Sequence, residues 1–174
     1  GNNGTFGTGG GGGAASSPTA LRGGNGGPGI VAVRYKIGSV QTKTAKATGG
    51  NISFYNSKTI HTFTSSGTWT TDAGFSESVE YVVIAGGGAG GVSDNAGGGG
   101  AGGYRTGTTP IGAHPVSTTI QVGAGGAGQR AKTAGTPSYF GTPITAAAGG
   151  GGGAGGDGQR AKTAGTPSYF GTPI

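Results

Sequence analysis

Apolar residues in this chain come in short bursts, separated by polar or glycine-filled stretches. Residues 30–35, Ile-Val-Ala-Val-Arg-Tyr, are β-branched, short and bounded by turn residues, which predicts a strand. Alternation puts Ile30, Ala32 and Arg34 on one face and Val31, Val33 and Tyr35 on the other. Residues 51–55 and 58–64 predict two more strands, with Asn56-Ser57 as a tight turn between them. Residues 68–70 and 117–122 read the same way. Residues 80–85, Glu-Tyr-Val-Val-Ile-Ala, run directly into Gly86-Gly87-Gly88-Ala89-Gly90-Gly91. Residues 38–50 are polar and rich in Thr and Lys, a linker or an exposed strand whose lysines would protect an edge. No window carries the 3.6-residue periodicity of an amphipathic helix. The expected class is therefore all-β, with short strands joined by glycine-rich segments.

Composition sharpens this. Glycine fills 47 of 174 positions, against 31% hydrophobic and 9% charged residues. Glycine loses the most backbone entropy on ordering and adds no side chain to a core. A lone copy would be short of burial, so self-association is expected, as a homo-oligomer, a trimer or a helical filament. The apolar residues are grouped and the charge is low, unlike a self-repelling disordered chain. A glycine tract can adopt the extended three-residue helix of the polyproline II type, whose N–H and C=O groups must find partners outside the segment. Without Cβ atoms such helices can approach closely and add Cα–H···O contacts. We therefore expect polyglycine-II tracts packed beside a small β module, in a repetitive fibrous assembly.

The tail repeats itself. Residues 128–144 and 158–174 are the same 17 residues, GQRAKTAGTPSYFGTPI, offset by 30. Such a repeat points to a repetitive architecture, and identity this complete equally fits a very recent duplication or an error in sequence assignment.

Charge and chemistry exclude more than they suggest. The net charge of +6 comes from eleven basic and five acidic residues, and the basic ones are scattered, so no nucleic-acid footprint forms. No apolar run approaches the roughly 20 residues a membrane helix needs, so no membrane insertion is expected. Cysteine is absent, and His61, His114 and the five acids show no metal-ligand spacing, so no metal site is expected. Residues 86–91 formally match G-x-G-x-x-G after a strand. The helix and the acid that a dinucleotide site needs are missing downstream, so no cofactor is expected. Nothing suggests a catalytic residue. Tyr104 beside Arg105, together with Tyr139 and its repeat counterpart Tyr169, are the candidate contacts with a surface receptor or a neighbouring subunit, Tyr104 being loop-borne.

Several runs resemble the glycine-rich domains of phage tail fibres and adhesins. His61-Thr62-Phe63-Thr64-Ser65-Ser66-Gly67-Thr68-Trp69 looks like the opening strand of that family. Glu80-Tyr81-Val82-Val83-Ile84-Ala85-Gly86-Gly87-Gly88 resembles its sequel. His114-Pro115-Val116 and Ile120-Gln121-Val122-Gly123-Ala124-Gly125-Gly126 resemble the family's mid-domain strand and turn, and Ser138-Tyr139-Phe140-Gly141 is similar to its next segment. The stretch from Gly23 to Tyr35 looks like the closing strand. The closing signature precedes the opening one, so the resemblance implies that residues 1–38 end one module, 39–50 link, and 51–174 begin the next. It also implies a structural and adhesive fibre protein, extracellular or on a virion tail, that contacts a host-surface glycan or outer-membrane receptor. A microbial surface filament or adhesin is the alternative, and an ice- or glycan-binding protein a third reading.

Overall fold

The fold was described from a computed structural model. The structure describes residues 1–15, 22–37, 44–92, 96–111, 115–128, 133–141 and 144–147. Among these, all regular structure is strand, arranged as two antiparallel five-stranded sheets.

The first sheet runs β3 (Asn51–Tyr55), β4 (Lys58–Phe63), β1 (Ile30–Lys36), β6 (Ser78–Ile84), β7 (Tyr104–Pro110). The second runs β10 (Ile144–Ala146), β9 (Ser138–Phe140), β8 (Ser117–Gln121), β5 (Gly67–Thr71), β2 (Ala47–Thr48). The turn between β3 and β4 holds Asn56 and Ser57 at φ 47° and 58°. Positive φ at both central residues matches the right-handed twist of the strands they join. β1 lies between β4 and β6, with Val33 opposite both His61 and Tyr81. The sheet is thus built across the boundary that the family resemblance draws at residues 39–50.

Alternation sorts the first sheet's faces. Val31, Val33 and Tyr35 of β1 and Val79, Tyr81 and Val83 of β6 are buried. They meet Trp69, Ile120, Phe140, Ile144 and Ala146 of the second sheet in one core. Trp69 is fully buried, with Phe75 and Phe140 edge-on to it at centroid distances of 5.5 and 5.6 Å. Those edge-to-face contacts add to what burial alone contributes.

The remaining order is in the glycine segments. β6 and β8 run out of the sandwich straight into residues 85–91 and 123–128, while residues 22–29, 97–103 and 133–137 lead back into β1, β7 and β9. Residues 1–4 and 9–15 lie alongside, and all seven segments are cross-linked by backbone hydrogen bonds.

Candidate functional site

The hub of these segments is residues 85–91, and its bonds repeat every third residue. The N–H groups of Ala85, Gly88 and Gly91 donate to the carbonyls of Gly103, Gly100 and Gly97, at 3.0, 2.8 and 2.9 Å. Those of Gly86 and Ala89 donate to Thr136 and Thr133, at 3.0 and 3.1 Å. Those of Gly87 and Gly90 donate to Gly27 and Gly24, both at 2.9 Å. Three donor directions thus serve three neighbours, each antiparallel to the hub because partner numbers fall as hub numbers rise. On the acceptor side, Gly88 and Gly91 receive the N–H groups of Gly12 and Ala15, and Gly87 receives that of Gly126. These two neighbours run parallel to the hub. Every hub N–H is spent on a backbone carbonyl, so none is free to cradle a phosphate in the manner of a dinucleotide turn.

Close approach explains the residue type. A Cβ added at Gly26 would lie 2.0 Å from the Gly87 carbonyl oxygen, and one at Gly99 2.0 Å from that of Gly88. No side chain fits there, and the glycine Cα–H groups face carbonyl oxygens instead. Side chains are confined to other positions of the repeat, where some close the lattice. Thr136 Oγ1 and Thr133 Oγ1 accept from the N–H groups of Ala124 and Ala127, both at 2.7 Å. Asn25 Oδ1 accepts from Gly128 N–H and Ser138 Oγ from Gly123 N–H. Sequence reasoning missed these roles; the three-residue spacing of Thr133 and Thr136 is the signal that could have shown them.

The aromatic candidates do not converge. Tyr104 is exposed and opens edge strand β7, paired with Ile84, and so is not loop-borne. It borders a groove of about 540 Å³ on the first sheet's outer face, with Ala32, Arg34, Glu80 and Val82. There Arg34 Nε and Lys58 Nζ both donate to the Glu80 carboxylate, the latter at 2.6 Å. These bonds, Lys58 first and Arg34 second, hold the Glu80 carboxyl below its usual range. Arg105 turns to the other sheet, its Nη1 donating to the Thr145 carbonyl at 3.5 Å. Tyr139, half-buried on β9, lines a second groove of about 480 Å³ with Thr109, Pro110, Ser117, Thr119 and Ile144. Among the described residues, none of the side chains lining that groove is charged. Tyr169, the second repeat copy, His114 and Asp94 lie outside the described residues.

A buried polar chain ties residues 44–50 to the core. Lys46 N–H donates to Tyr35 Oη at 3.0 Å, and Tyr35 Oη stands 3.2 Å from His61 Nε2. His61 Nδ1 stands 2.7 Å from the Gly49 carbonyl, which can only accept. The proton is therefore on Nδ1, and the Tyr35 hydroxyl donates to Nε2. Burial lowers the His61 pKa and raises that of Tyr35, so both stay neutral. At the same margin Lys46 Nζ bonds Glu77 Oε1 at 2.5 Å. Burial pushes the Glu77 carboxyl up, but that ammonium and the Ser76 N–H outweigh it and hold the pKa low.

Residues 62–172 match the model of the glycine-rich domain family, and the chain belongs to that family. No curated protein and no solved structure matches it.

Proposed function

We propose that this chain is a module of a structural and adhesive fibre, of the kind that forms a phage tail fibre and meets the host cell surface. The observation that carries the proposal is the threefold hydrogen-bond register around residues 85–91. In our reading the tracts are polyglycine-II helices, rods with no internal bonds that gain order only by mutual packing. Such a bundle extends a β sandwich without enlarging its apolar core. It leaves the sandwich grooves to make contacts, and repetition along a multimeric fibre turns weak contacts into strong ones. The uncharged groove of Tyr139, with hydroxyls of Ser117 and Thr119 beside an aromatic ring, suits a host-surface glycan. No cofactor or catalysis enters this reading.

Electron microscopy of the native assembly tests it. Fibres joined to capsid–tail particles are the expected result. Free filaments of indefinite length would instead make the chain a subunit of a microbial surface filament, and dispersed monomers would overturn both. Amide-region infrared spectra that report the tracts as coil would remove the polyglycine-II assignment.

A further inference from the structure

Among the described residues five large apolar side chains stand exposed, and three of them sit on one short strand. Ile52, Phe54 and Tyr55 of β3 are 42%, 39% and 76% exposed, and Asn51 and Ser53 are exposed with them. β3 forms one margin of the first sheet, beside β4. The opposite margin, β7, carries Arg105, Gly107 and Pro110: a charge, a glycine that weakens the strand, and a residue with no N–H. Such residues discourage pairing with another chain. β3, Asn-Ile-Ser-Phe-Tyr, has none of them. Its Ile52 and Phe54 lie opposite the buried His61 and Thr59. Both apolar side chains are therefore on the core side of the sheet, yet exposed at its rim.

The hairpin turn fixes which backbone groups of β3 face outward. Asn56 and Ser57 form a two-residue turn with positive φ at both positions, which closes on a hydrogen-bonded pair, Tyr55 and Lys58. Hydrogen-bonded and non-hydrogen-bonded pairs alternate along an antiparallel ladder. Asn51, Ser53 and Tyr55 thus turn N–H and C=O toward β4, and Ile52 and Phe54 turn theirs away from it. We infer that β3 is a self-pairing edge, which joins the β3 of a second copy of this chain, antiparallel, about a twofold axis at Ser53. The strand is self-complementary in that register. Ile52 of each copy meets Phe54 of the other, so the outward N–H and C=O groups pair and the exposed apolar side chains cover one another. Ser53 faces Ser53 at the closer, non-hydrogen-bonded spacing, where a small side chain fits. Asn51 faces Tyr55, and the strand brings no charge against a like charge. Sliding by two residues would leave Ile52 or Phe54 opposite a residue beyond the strand, which singles out this register. An isologous contact of this kind closes as a dimer and does not propagate. It does not depend on the fibre reading, because the pair can form in free solution or within a larger assembly.

Disulfide trapping on the full chain tests it. The chain has no cysteine, so a single introduced one reports the axis. Ser53→Cys should form a disulfide-linked dimer on oxidation, because a non-hydrogen-bonded pair holds its Cβ atoms about 4.5–5.5 Å apart. Tyr104→Cys, on the other margin, is the control and should cross-link far more slowly. In sedimentation, the wild type should pass from monomer to dimer as concentration rises. Phe54→Lys changes an exposed side chain and should weaken that association at least roughly tenfold, since the twofold axis sets an ammonium against Ile52 twice. Cross-linking of Ser53→Cys no faster than that of Tyr104→Cys would overturn the inference. So would a wild type that sediments as a monomer at every concentration, or a folded Phe54→Lys variant that associates as tightly as the wild type. If Phe54→Lys does not fold, the Ser53→Cys cross-link still decides. Fibres without that cross-link would remove the β3 pair and leave the fibre reading standing, whereas cross-linked dimers without fibres would do the reverse.

Discussion

The sandwich and the glycine segments have the same problem, buried backbone, and solve it with opposite materials. In the sandwich, side chains exclude water: Val31, Val33, Val83 and Trp69 are 0% exposed, and the sheet ladders pair the backbone behind them. In the segments the backbone itself excludes water. Residues 86–91 are all buried, and Ala89 is the one residue among them with a side chain. The sandwich specifies its partners by shape and apolarity. The segments specify theirs by what is missing, since a single methyl at the wrong glycine meets a carbonyl oxygen. One region should therefore be sensitive to removing atoms, the other to adding them.

The largest effect is expected from removal in the sandwich. Trp69→Ala should cost about 3–5 kcal/mol in denaturant unfolding, because the cavity opens beside Phe75 and Phe140. A loss below 1 kcal/mol would show that the sandwich core is not where the fold is held. Addition in the segments comes next. Gly26→Ala and Gly99→Ala should each cost about 2–3 kcal/mol. Gly98→Ala is the control: its added Cβ would meet only the Gly12 oxygen at 3.5 Å, so stability should stay within about 0.5 kcal/mol. Equal effects at positions 98 and 99 would refute the threefold register.

The His61 chain gives a smaller, pH-dependent effect. Its folded pKa is lowered, so the unfolded chain binds the proton more readily. The contribution of neutral His61 is complete above the unfolded pKa of about 6.5 and is lost as pH falls below it toward the folded value. The melting temperature should drop through this window in the wild type. Tyr35→Phe, which removes the hydroxyl that donates to Nε2, should lower stability at neutral pH by about 1 kcal/mol and leave a shallower pH slope. The least effect is expected at Tyr104→Ala, within about 0.5 kcal/mol, since the side chain is 59% exposed. A larger loss by calorimetry would mean that the outer groove is part of the core.

Legibility in the sequence divides along the same line. β1 and β6 were legible because their alternation survives into the buried and exposed faces, and the β3–β4 hairpin because Asn56-Ser57 tolerates positive φ. β7 was not, because it is an edge strand whose residues are nearly all polar, and its pairing with β6 is a tertiary fact that no local pattern records. β9 and β10, three residues each, are too short for alternation to stand out. The junction at residues 80–91 was legible as the passage from strand to glycine. Its place at the centre of the lattice was not, since Gly98 and Gly99 are identical letters with different surroundings. Of the contact candidates, Tyr104 and Tyr139 each line a groove on a different face, and Arg105 Nη1 bonds the Thr145 carbonyl.

The threefold register has a consequence for how such a gene can change length. Inserting one or two residues within residues 85–91 would rotate every later donor onto the wrong neighbour, whereas inserting three returns each to its own. A tract of this kind can therefore grow or shrink in steps of nine nucleotides, while its neighbours need matching steps to keep their carbonyls covered. Length variation in the glycine segments should be quantised, and substitutions between the steps should accumulate only at positions like Gly98, where a side chain has room.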